Sequence, residues 1–64
     1  MAFTLHSYTL IYTYPPGVNK RKKKLSTSLG GDADAKTWAK YVVEQAQGGS
    51  AEVQLLDGST FTYP

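Results

Sequence analysis

Two glycine pairs, Gly30-Gly31 and Gly48-Gly49, bracket the one segment whose apolar residues recur at three- and four-residue spacings. Between them Ala35, Trp38, Ala39, Val42 and Ala46 fall on one stripe, with Val43 at its margin and Lys36, Lys40, Glu44 and Gln47 opposite. The spacing predicts a single helix. Asp32 or Asp34 can open it as a cap, accepting a backbone N–H while the carboxylate meets the positive end of the helix dipole. It runs to about Gln47, where a glycine in the left-handed conformation would close it. One face of this helix has to be buried, with Trp38 expected at the centre.

Outside the bracket the residues are of strand type. Phe3 to Tyr14 is rich in Thr, Tyr, Leu and Ile and forms the first predicted strand. Its alternation is broken, because Phe3, Leu5 and Ile11 fall on one face and Tyr8, Leu10, Tyr12 and Tyr14 on the other. Either a bulge near His6 and Ser7 shifts the phase, or both faces are partly covered. Pro15-Pro16-Gly17 stops the strand, since consecutive prolines donate no ladder hydrogen bonds. Lys23, Leu25, Thr27 and Leu29 then alternate with Lys24, Ser26 and Ser28, so a second strand returns alongside the first. Ala51 to Pro64 reads as a hairpin with Asp57-Gly58 at its tip. An apolar face shared by Val53, Leu55, Phe61 and Tyr63 pairs Leu55 with Phe61 through an odd-length loop around residues 57–59.

The fold class is therefore α+β: β-hairpin, α-helix, β-hairpin (ββαββ), one mostly antiparallel sheet covered on one face by a single helix. Residues 1–64 form one domain, since no linker separates two and a chain of this size buries only about 60% of its unfolded surface. This order of elements resembles that of the small immunoglobulin-binding bacterial domains with a β-grasp fold. The similarity covers element order and length, and carries no function across.

Several functional classes are expected to be absent. There is no cysteine, so neither a disulfide framework nor a thiolate metal site nor a cysteine nucleophile can form. The one histidine, His6, is expected to be a surface or half-buried strand residue. The five acids divide among a predicted cap (Asp32, Asp34), a helix surface (Glu44), a strand (Glu52) and a turn (Asp57). No acid, base and nucleophile are assembled, so no catalytic residue, metal site, cofactor or small-molecule substrate is expected. Gly30-Gly31 precedes a helix, but without a phosphate-loop lysine or dinucleotide fingerprint, and with two aspartates that would repel a phosphate. No apolar stretch approaches the roughly eighteen residues of a membrane span, and the first residues lack the pattern of a signal peptide. A soluble, cytoplasmic protein is expected.

Charge is the uneven feature. The net charge is +2, but residues 1–24 hold five basic side chains and no acidic one, whereas residues 25–64 hold two basic and five acidic. The five are consecutive: Lys20, Arg21, Lys22, Lys23 and Lys24. Strand alternation places Lys20, Lys22 and Lys24 on one face and Arg21 and Lys23 on the other, giving a two-sided positive arm expected to project past the helix-covered sheet. Such an arm suits a phosphate backbone. Tyr12 and Tyr14, beside it, are candidates for stacking unpaired bases, although tyrosine also serves as a strand former that packs its ring and wets its hydroxyl. The leading expectation is a non-enzymatic binding protein contacting nucleic acid through Lys20 to Lys24, Tyr12 and Tyr14. The alternative is a protein-binding module docking on an acidic protein surface, such as a small inhibitor of a host complex of the phage accessory or anti-defence type, or a minor virion component. Lysines on an edge strand also guard against aggregation, which needs no partner.

Overall fold

The computed structural model describes residues 4–64. Its elements are β1 (His6–Thr13), β2 (Lys22–Leu29), α1 (Asp32–Ala46), β3 (Ser50–Gln54) and β4 (Thr60–Tyr63). They form one four-stranded antiparallel sheet in the order β2-β1-β3-β4, with α1 on one face. Among the described residues no helix is long and apolar enough to cross a membrane.

β2 and β3 both run antiparallel to β1, one on each side of it, so α1 carries the chain across β1 between two mutually parallel strands. A β-grasp sheet sets its first and last strands side by side and parallel. Here β1 lies instead between β2 and β3, both antiparallel to it, so the likeness stops at element order.

The register assigns the faces. Tyr8, Leu10 and Tyr12 of β1 sit opposite Thr27, Leu25 and Lys23 of β2, while Leu10 and Tyr12 also face Val53 and Ala51 of β3. Tyr8, Leu10, Tyr12, Ala51, Val53 and Leu55 are buried under Ala35, Ala39 and Val43 of the helix. The pairs from His6–Leu29 to Thr13–Lys22 run without interruption, so β1 has no bulge. Its mixed pattern has a simpler cause: Leu5 precedes the strand and is exposed, and Ile11 is, among the described residues, the one half-buried apolar residue on the face without the helix. Phe3 lies outside the described residues.

The helix differs from its sequence pattern at both ends and in its stripe. Two tyrosine rings rise from β1 beneath it, and only small side chains fit above them, so Ala35 and Ala39 are fully buried. Val43 completes that row, Trp38 and Val42 pack at its flank half-buried, and Ala46 is exposed. Trp38 is thus marginal where the sequence placed it centrally. No side chain caps the N-terminus. Asp32 turns away: its Oδ1 accepts the Tyr8 hydroxyl at 2.9 Å and the Leu56 N–H at 3.0 Å, tying β1, α1 and the β3–β4 turn together. Burial, with the Asp32 hydrogen bond and the charges of Asp32 and Asp34 adding to it, pushes the Tyr8 hydroxyl up to about 12, so it stays a donor at neutral pH. At the C-terminus Gln47, not glycine, takes the left-handed conformation (φ 60°).

The second hairpin has the odd loop its apolar face requires, but one residue earlier than expected, which moves the β3 partner of Phe61 by two residues. The Leu55 N–H donates to the Ser59 carbonyl at 2.8 Å, closing a loop over residues 56–58, and Phe61 pairs with Val53 rather than Leu55. Asp57 accepts both the Ser59 hydroxyl and the Ser59 N–H, which holds its carboxyl below the usual range.

Candidate functional site

The basic run begins in the β1–β2 connection and enters β2. The Tyr14 N–H donates to the Arg21 carbonyl at 3.2 Å, and Thr13, Tyr12 and Ile11 pair with Lys22, Lys23 and Lys24. All five cations are exposed. Alternation holds for the strand residues: Lys22 and Lys24 share the helix-free face with Thr13 and Ile11, and Lys23 shares the helix side with Tyr12. Lys20 departs from it. It precedes β2, and its Nζ lies 5.5 Å from the centre of the Tyr14 ring, on the same side as Arg21 and Lys23.

Nor is the arm free-standing along its length. Ser50, Ala51, Glu52 and Val53 of β3 pair with the other side of β1 from Thr13 to Leu10, so Lys22 to Lys24 form the edge of a four-stranded sheet. Only residues 14–21 reach past the last β1–β3 pair. Gly17 (φ 90°) makes the turn there, and the Val18 N–H donates to the Pro15 carbonyl.

The two tyrosines part company. Tyr12 is 4% exposed, its hydroxyl donates to the Gly48 carbonyl, and its ring meets Tyr14 edge-on at 4.9 Å. A base cannot stack on it, because the turn after α1 crosses above this end of β1. Tyr14 stays half-exposed beneath Lys20.

The acids are distributed so that they leave most of the cluster unopposed. Asp32 and Asp34 stand in the first turn of α1, about 22 Å along the helix from the end that abuts Tyr12. Asp57 lies in the β3–β4 turn, next to Leu56, which Asp32 holds. Glu44, exposed in the last turn of α1, lies at the basic end. Glu52 is the acid of the helix-free face, in the row Lys24, Ile11, Glu52, Thr62, and its backbone lies two strands, about 10 Å, from that of Lys24.

That helix-free face was not singled out in the sequence. Ser7, Thr9 and Thr13 of β1, Ser26 and Ser28 of β2, and Thr60 and Thr62 of β4 carpet it with hydroxyls, and shallow hollows open beside Thr9. The Ser/Thr alternation at every second position was the available signal. Among the described residues no three His, Cys, Asp or Glu side chains gather, and His6 is a half-buried strand residue opposite Leu29. No protein-family model, curated protein or solved structure matches this chain.

Proposed function

We propose that this is a small, non-enzymatic, cytoplasmic binding protein whose basic hairpin end holds the phosphate backbone of nucleic acid with little sequence readout. One observation carries the reading: five consecutive exposed cations, on both faces of a sheet edge and its adjoining turn, with three of the five acids at the other end of the molecule. Lys22 and Lys24 present charge on the helix-free side next to the Thr13 hydroxyl, and Arg21 and Lys23 present it on the other. The Arg21 fork suits two phosphate oxygens at once. Ser26, Ser28 and Thr9 extend the same face with neutral donors of the kind that position a backbone. Tyr14 is the one aromatic left for a base or sugar, and Tyr12 takes no part.

Retardation of labelled duplex and single-stranded oligonucleotides tests this directly. Binding at low salt should weaken with a slope of about −4.5 in log affinity against log salt if all five cations meet DNA phosphates. Arg21→Glu with Lys23→Glu should abolish retardation while leaving the circular dichroism unchanged, and retained binding by that double variant would sink the proposal. An acidic protein surface is the other anion that the patch fits. Recovery of one stoichiometric protein after nuclease treatment, with no retardation of nucleic acid, would assign the patch to it and favour the inhibitor or virion-component class.

A further inference from the structure

The sheet has two outer edges, β4 with four residues and β2 with eight. The bond from Tyr14 N–H to Arg21 carbonyl makes 14 and 21 a hydrogen-bonded pair. Alternation along an antiparallel ladder then gives Tyr12–Lys23, Leu10–Leu25 and Tyr8–Thr27 the same character. It also turns the N–H and C=O groups of Lys22, Lys24, Ser26 and Ser28 outward. Lysines guard only the first three positions of this edge. From Leu25 to Leu29 it is uncharged, and α1 leans on β3 and leaves the helix side of β2 largely uncovered, with Leu25 and Leu29 half-buried there.

We propose that this edge pairs with the same edge of a second copy, antiparallel about a two-fold axis at Thr27, making one eight-stranded sheet with both helices on the same side. Charge and hydrophobicity select that register. Centred on Thr27, Leu25 faces Leu29 of the second copy and Leu29 faces Leu25, Ser26 and Ser28 exchange their outward hydrogen bonds, and Lys22 to Lys24 run past the other copy's last strand residue, Leu29, beside its turn into α1. Centring on Ser26 sets Leu29 against Lys23, centring on Leu25 sets Leu29 against Arg21 and brings all three lysines into the ladder, and centring on Lys24 or Lys23 sets like charges directly opposite one another, which destabilises a strand pair. A register in which both leucines are satisfied by each other is self-complementary, as a two-fold interface has to be. A short strand pair falls below the area of a standard stable interface, so the dimer is weak and depends on concentration. The inference is independent of nucleic-acid binding.

Sedimentation equilibrium of the full chain from about 10 μM to about 1 mM should show the mass rising from monomer toward dimer. A mass that stays monomeric throughout, or grows past a dimer into open polymers, would overturn the proposal. Ser26→Pro removes an outward N–H that β1 does not use, so the fold should persist by circular dichroism and Trp38 emission while the dimer is lost; a folded Ser26→Pro that still dimerises would overturn it too. Thr27→Cys supplies a test that needs no weakened fold. With no other cysteine present, two residues at position 27 would face each other as a non-hydrogen-bonded pair with Cα atoms about 4.5 Å apart, within disulfide reach. This variant should oxidise to a covalent dimer at least tenfold faster than Ser7→Cys on the neighbouring strand, and equal rates would refute the geometry.

Discussion

Gly49→Ala should be among the most damaging single-methyl additions this chain can suffer, and the structure says why. Gly49 has φ 84°, a region that costs an L-residue with a side chain about 1–2 kcal/mol. A methyl there would also overlap the Thr13 carbonyl oxygen and the Tyr12 hydroxyl. Neither can yield cheaply, since Thr13 is fixed in the ladder to Ser50 and Tyr12 is buried with its hydroxyl on the Gly48 carbonyl. Overpacking of this kind costs about 1–3 kcal/mol, which brings the total to about 2–5 kcal/mol, comparable with all that a scaffold this small nets. Gly58→Ala is the control. Gly58 has nearly the same backbone angle, φ 92°, but nothing lies within 4 Å of its added methyl, so only the backbone cost of about 1–2 kcal/mol remains. Urea denaturation followed by the emission of Trp38, the one tryptophan, measures both. Gly49→Ala should be mostly unfolded without denaturant and Gly58→Ala should shift the midpoint modestly. Equal midpoints for the two variants would refute the crowding argument.

Gln47→Gly should stabilise the chain by about 1 kcal/mol by relieving the left-handed conformation at the helix end, read as a higher melting temperature; a fall would show that the Gln47 side chain earns its place by other contacts. Asp32→Ala, which removes the acceptor of both the Tyr8 hydroxyl and the Leu56 N–H, should lower stability by about 2 kcal/mol in the same urea assay, and adding Tyr8→Phe should restore part of the loss because no buried hydroxyl then lacks a partner. Because the Tyr8 hydroxyl titrates near 12 in the folded chain and near 10 when unfolded, its contribution is complete below pH 10 and is lost as pH rises from 10 to 12; the urea midpoint should fall over that window more steeply in the wild type than in Tyr8→Phe, and parallel curves would contradict the assignment.

Strand and helix existence were legible because they depend on local periodicity: the Lys23, Leu25, Thr27, Leu29 alternation survives into the structure, while of the expected helical stripe Ala35 and Ala39 are buried, Val43 moves from its margin into the central row and Ala46 is exposed. Both faces of the second hairpin followed from keeping Val53, Leu55, Phe61 and Tyr63 together, but the pairing did not, since the Asp57–Ser59 bonds decide which residues form the loop. Trp38 was misplaced because volume across the interface, not hydrophobicity, selects what lies under a helix, and Tyr8 and Tyr12 had taken that volume. The same burial removed Tyr12 from the candidate contacts, which strand periodicity could not foresee, because the crossing turn at Gly48 and Gly49 is a tertiary feature. Exposure of the basic run was legible from charge alone. Its embedding at a sheet edge depended on β3 returning beside β1, a long-range choice that leaves little local trace.

That choice also sets a timetable. Strand β1 is made first, yet one of its sides is completed only by Ser50–Gln54, about forty residues later. At roughly 5–20 residues per second the growing hairpin waits about 2–8 seconds with the flank of Ile11 and Thr13 unoccupied. An intruder along that flank would meet the backbone N–H and C=O groups of Ile11 and Thr13, while the side chains stand at right angles to it on the two faces, the leucine and tyrosines toward the helix that arrives earlier. Until β3 arrives, a nascent chain keeps one backbone edge open in the plane of its sheet.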